Sequence, residues 1–238
     1  MKKRIWELDA ARGLALLGML VIHFLYDLVD LWQVFSWQEP GWYCFIKNNC
    51  GFIFLVISGI SVTLGSAELR RGAQVFACGM LCTAVTAGMY LLGLADRGIL
   101  IYFGVLHCLG VCMLLWHWLR RLPGWSVALL GLVLVIAGLI LGRLYLDVSW
   151  VWLPLGLCPW WLSSSDYFPL LPNLGFFLLG AELGRMLYRD KKSRLPERWG
   201  DWPPVRLLQA VGRHSLWIYL LHQPVLSGLA MGIKWMIS

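Results

Sequence analysis

The chain has 238 residues, of which 59% are hydrophobic and only 14% charged, with a net charge of +7 and a mean hydropathy of +0.69. That leaves too few charged side chains to coat a soluble domain, and the 15 Trp and 25 Gly suit a polytopic membrane protein, where Trp gathers at the interfaces and Gly lets helices approach. A nucleic-acid partner is excluded, because it would need the basic residues on one exposed face and they are divided among short loops.

Hydropathy predicts seven spans, at about 11–33, 44–66, 74–95, 99–119, 125–143, 168–188 and 213–235. The expected fold class is an all-α bundle of about seven transmembrane helices, one transmembrane domain over residues 1–238. With the N-terminus in the cytoplasm, 16 basic residues fall on the inner side, against Lys47, Arg97, Arg143 and Lys234 outside. The positive-inside rule therefore sets a cytoplasmic N-terminus and an outer C-terminus, in a bacterial cytoplasmic membrane. The basic start before an apolar run too long for a cleaved leader predicts an uncleaved signal-anchor helix.

The first span carries Asp9, Arg12, His23, Asp27 and Asp30 within an otherwise apolar run. At 100° per residue and with Arg12 at zero, His23 and Asp30 fall within about 20° and Asp9 and Asp27 near about 60°. Charge at mid-membrane costs roughly 2.5–3.5 kcal/mol per group, so this stripe must face protein or a wet cavity. An i,i+4 His23–Asp27 pair is what a general base uses, the carboxylate fixing the tautomer. Arg12 lies roughly 16 Å below His23 on the same face, and a coenzyme A thioester fits that stripe, phosphates at the inner basic rim and acyl group at the histidine. An Arg12–Asp9 pair marking only the start of the helix is the plainer alternative.

The second span opens with Lys47-Asn48-Asn49, and Lys47 shares a face with Ser58. Lys47 either joins the polar site or snorkels to the headgroups. The third span is rich in small residues and reads as packing, and the fifth reads as lipid-facing. His107, in the fourth span, is expected at a depth similar to His23, whereas His117 belongs at the inner interface beside two Trp. Cys78, Cys82, Cys108 and Cys112 read as buried thiols, while Cys44 or Cys50 could pair with Cys158 on the outer side. The stretch 144–167 is a long outer connection whose Trp residues either lie at the interface or close over a sugar-like acceptor. In the sixth span Glu182 and Arg185 are spaced to pair with each other or with Arg12 and Asp9, and residues 190–206 read as a solvated inner loop. The seventh holds His222-Gln223-Pro224, where Pro224 frees the carbonyl of Leu220. No Walker motif, dinucleotide fingerprint or metal-ligand spacing appears, so no metal is expected.

Several stretches carry a more specific signal: L-D-A-A-R-G-L-A-L-L-G-M-L-V-I-H-F, F-G-V-L-H-C-L-G-V, S-S-D-Y-F-P-L-L-P-N-L-G-F-F-L-L-G-A-E-L-G-R-M-L-Y and G-R-H-S-L-W-I-Y-L-L-H-Q-P-V-L. They resemble bacterial membrane proteins of the heparan-alpha-glucosaminide N-acetyltransferase catalytic-domain-like family, within the wider transmembrane acyltransferase group. That group has a functionally important Arg-x10-His arrangement on its first helix, which Arg12 and His23 match. The resemblance implies that cytosolic acyl-CoA donates its acyl group, acetyl in the simplest case, to a hydroxyl or amine of a sugar or glycan on the outer side. The resembled lysosomal enzyme is associated with a histidine before its second helix, and 36–50 has none here. Either His23 takes that role or this branch does something else.

The expected catalytic set is His23 as general base or transient acyl carrier, Asp27 as its orienter, and His107 and His222 as aids to acceptor binding or carbonyl polarisation. The expected acyl-CoA-binding set is Arg12, Asp9, Lys47, Asn48, Ser58, Arg185 and Arg213, with the bilayer as surrounding partner and homo-oligomers left open. Two rivals share these features: a carrier or flippase for an acyl- or lipid-linked glycan precursor, using the stripe as a proton relay, and a haem protein with paired histidines. No haem is expected.

Overall fold

The computed structural model describes residues 4–143, 149–157 and 162–237. Among these the chain is helical, with one isolated bridge between Phe103 and Tyr167. The α-helices are α1 (Trp6–Tyr26), α2 (Gly41–Val62), α3 (Glu68–Leu91), α4 (Val105–Leu119), α5 (Gly124–Leu141), α6 (Leu170–Leu187), α7 (Glu197–Gly200), α8 (Pro203–Arg213) and α9 (Ser215–Ile237). Six are long and apolar enough to cross a membrane: α1 with its π-helical continuation Asp27–Leu31, α2, α3, α5, α6 and α9. The fourth expected span is the shorter apolar helix α4.

Two differences from expectation have local causes. The fourth span begins at Val105 rather than near 99, because side chains satisfy its first backbone donors. The Val105 N–H donates to Asp166 Oδ2 (3.0 Å) and the Gly104 N–H to His107 Nδ1 (3.2 Å). Hydropathy alone is blind to such a cap. Second, the loop expected over 190–206 contains α7 and the start of α8, whose first two positions are Pro203 and Pro204, residues suited to a helical N-terminus.

The chain divides into two compact units. The first comprises residues up to Phe54 and from Asp190 onward. Here α8 crosses the start of α1 at backbone contact: a Cβ added at Gly13 would lie 2.0 Å from the Leu208 carbonyl oxygen, and one at Gly212 would lie 1.8 Å from that of Asp9. Further along, α9 runs in the same direction as α1. His23 meets His222, Asp27 meets Gln223 and Trp32 meets Ser227, in that order.

The second unit, Leu55–Arg189, holds the rest. There α3 packs on α4 through Gly72 and Gly110, and α5 packs on α6 through Gly131 and Gly175, as small residues allow in a membrane. The expected lipid-facing character of α5 therefore holds for one face only, that of Leu132, Val133, Ile136 and Leu139.

Candidate active site

His23 stands on the fifth turn of α1 with its Nδ1 3.0 Å from the Met19 carbonyl. His222, on α9, points its Nδ1 at the Tyr219 carbonyl in a short hydrogen bond. A carbonyl oxygen only accepts, so each Nδ1 carries a proton, and in the neutral form of either ring the lone pair lies on Nε2. The rings meet edge to face with centroids 4.9 Å apart, and the Tyr219 ring lies tilted at 5.2 Å from His222. One turn beyond, Asp27 is fully buried and accepts from Gln223 Nε2 at 2.9 Å. Asp27 Oδ2 and Gln223 Oε1 are both buried with no hydrogen-bond partner among the described residues. Two acceptors thus stand open near two imidazoles.

This differs from the expected His23–Asp27 pair. The Met19 carbonyl fixes the His23 tautomer, and Asp27 is held instead by Gln223, a residue to which the sequence reading gave no role. Its only signal was its place between His222 and Pro224. Asp30, expected on the stripe, is exposed. The helix widens to a π turn at Asp27–Leu31, so positions beyond Asp27 no longer follow the 100° step.

At the start of α1, Arg12 Nη1 donates to Asp9 Oδ1 at 3.1 Å and to the Gly212 carbonyl at 3.5 Å. Arg12 thus turns toward α8 and His23 toward α9, placing both on the side of α1 covered by residues 203–237. Arg213 is exposed at the end of α8, its Nε on the Gln209 carbonyl.

With this geometry in place, the comparison with known families is decisive. A sequence model described as heparan-alpha-glucosaminide N-acetyltransferase, catalytic, matches residues 4–224. The chain belongs to that family. The match runs from the start of α1 through His222 and Gln223, and so takes in every residue just described. No curated protein and no solved structure matches the chain.

Of the remaining expected site residues of this acetyltransferase-family chain, His107, Arg185 and Lys47 have protein partners. His107 has both nitrogens committed: Nδ1 accepts from the Gly104 N–H, so Nε2 bears the proton and meets Thr83 Oγ1 at 3.3 Å, which in turn donates to the Ile101 carbonyl. In this structure it caps α4 and ties it to α3. Arg185, expected in the acyl-CoA set, has protein partners. It pairs with Glu182 (3.2 Å), stacks over Trp116 (4.7 Å) and donates to the carbonyls of Arg120 and Leu122, locking the turn after α4. The Glu182–Arg185 pair was expected; those backbone contacts were not.

Lys47 Nζ pairs with Glu39 at 2.7 Å and lies over the Tyr43 ring. That hydrogen bond holds the Glu39 carboxyl below its ordinary range. Asn48 is exposed and Ser58 half-buried on α2, and neither has a described partner that ties it to a site. His117, expected at the interface, meets the buried Glu68 at 3.1 Å, alongside Arg120 at 3.0 Å. Ser164 and Ser165 tie the described end of the long connection to the carbonyls of Leu100 and Ile99. Trp160, Trp161 and Cys158 lie outside the described residues, and Cys44 and Cys50 carry free thiols. No group of three or more His, Cys, Asp or Glu residues that would hold a metal occurs among the described residues.

Proposed function

We propose that this chain is a multi-pass membrane acetyltransferase that takes an acetyl group from cytosolic acetyl-CoA and delivers it to a hydroxyl or amine of a sugar on the opposite side. The contact between His23 and His222 beside Asp27 carries the reading, in a chain whose family is one of membrane acetyltransferases. The positive-inside distribution supports a cytoplasmic N-terminus in a bacterial inner membrane.

In this reading His23 Nε2 takes the proton from the acceptor as its oxygen or nitrogen attacks the thioester carbonyl carbon. The new C–O or C–N bond forms, the C–S bond breaks, and the proton on the imidazolium passes to the departing sulfur. His222 presents a second lone pair next to the first, for the acceptor's proton or for relay. The open acceptors Asp27 Oδ2 and Gln223 Oε1 suit the hydroxyl or ammonium hydrogens of an acceptor and orient it. Arg12, with exposed Arg4 and Arg213 nearby in sequence or space, supplies positive charge for the donor's phosphates; Asp9 offsets part of it.

The test is membranes containing wild-type or His23→Ala chain, incubated with radiolabelled acetyl-CoA and a panel of amino sugars. Transfer by the wild type and none by the variant, with equal insertion, is the expected result. Full transfer by His23→Ala removes that residue from the mechanism, and label on the wild-type protein itself would assign His23 the acyl-carrier role.

A further inference from the structure

The amphipathic segment that precedes α9 has features that acetyl transfer does not use. Residues 189–206 carry Arg189, Lys191, Lys192, Arg194, Arg198 and Arg206, against Asp190, Glu197 and Asp201. Arg194 pairs with Asp190 (3.0 Å) and Arg206 with Asp201 (3.5 Å), leaving a net positive surface. On the same segment Trp199, Trp202 and Leu207 are 51%, 64% and 65% exposed. Exposed Trp beside Arg is the composition of a membrane interface and not of a water-facing loop.

The fold places this segment at a membrane boundary. Only His214 separates α8 from the span α9, and α8 crosses the first turns of the span α1. A groove of about 750 Å³ lies there, walled by Trp6, Trp199, Trp202, Pro203 and Val205, with Arg198 and Asp201 at its polar edge. Gly200 closes against the Trp6 ring, where an added Cβ would lie 2.9 Å away, and its carbonyl accepts from Gln209. The Trp6 indole N–H is buried with no acceptor among the described residues. An apolar indole wall with Arg198 at its rim, and Arg206 on the same segment, match one ligand chemistry: an acyl chain joined to an anionic phosphate.

We propose that the Trp6–Trp199–Trp202 groove binds an anionic phospholipid, its acyl chain against the indoles and its phosphate on Arg198 and Arg206. The site is independent of the acetyltransferase reading, since none of its residues belongs to the histidine site. Bound lipid would brace α7 and α8 against α1, the same crossing that sets the approach of Gly212 to Arg12.

The full chain is reconstituted in nanodiscs of phosphatidylcholine alone or with rising fractions of phosphatidylglycerol, and amide hydrogen exchange is followed over 194–206. Exchange should slow as phosphatidylglycerol rises. With about fivefold in affinity per basic residue, Arg198→Gln with Arg206→Gln should weaken the lipid response by roughly 25-fold, and Arg198→Lys with Arg206→Lys should largely restore it. Equal exchange in both lipids overturns the proposal. So does equal protection of phosphatidylcholine discs by inorganic phosphate, which would assign the arginines to a soluble anion. Trp202→Ala separates charge from groove: an unchanged response would leave only surface attraction and end the assignment of an acyl-chain site.

Discussion

Gly212→Ala and Gly228→Ala make the same chemical change on the same stretch of chain and are expected to act in opposite directions. At Gly212 the added carbon would stand 1.8 Å from the Asp9 carbonyl oxygen, whereas real Cβ atoms essentially never come within 3.0 Å, so α8 must withdraw from α1 by about 1.2 Å. The obstacle is backbone on both sides and no side chain can swing clear. Overpacking of this kind costs about 1–3 kcal/mol, and the withdrawal also lengthens the bond from Arg12 to the Gly212 carbonyl. At Gly228, inside α9, nothing lies within 4 Å, so the change adds only helix propensity, worth up to about 1 kcal/mol in favour of the folded state. Reversible denaturation of the purified chain in a mild detergent, followed by far-ultraviolet circular dichroism, measures both. A lowered midpoint for Gly212→Ala with an unchanged or raised one for Gly228→Ala is expected. Equal shifts in the same direction would refute the backbone-contact account of the α1–α8 crossing.

Gln223→Leu should destabilise by about 1–3 kcal/mol, because it strips the described partner from a fully buried carboxylate, and the loss should shrink in an Asp27→Leu background when the two are combined in a double-mutant cycle. Glu68→Ala should cost about 1–3 kcal/mol in the same assay, since His117 Nδ1 and Arg120 both lose their acceptor. Lys47→Met should return the Glu39 titration midpoint, followed by carboxyl NMR, upward to its ordinary range. With Glu39 depressed in the folded state, the pair's contribution is present above the ordinary carboxylate pKa and lost as pH falls through the lowered one. The pair is exposed, so the unfolding midpoint should hardly move.

The class of this fold is written in its composition. Apolar runs of about 20 residues in a chain with 14% charge can be satisfied only by helices that bond their own backbone in lipid, and six such helices, with α4 besides, are present. Helical spacing also places Arg12 and His23 on the covered side of α1, and the four stretches that include them and His107 and His222 carry the resemblance to the family that the match over 4–224 shows. Which atoms meet there was not legible. His222 is 199 positions beyond His23, and Gln223 is 196 beyond Asp27, so their pairing depends on the register of α9 against α1, which only long-range packing sets. The same holds for His107 and Arg185: a titratable side chain within a membrane-spanning sequence must find a partner, but sequence does not say whether that partner is a substrate or a backbone cap. For His107 the tertiary structure supplied Gly104 and Thr83, and for Arg185 the carbonyls after α4, because a backbone group left unpaired at a helix end captures whichever polar side chain the fold brings within reach.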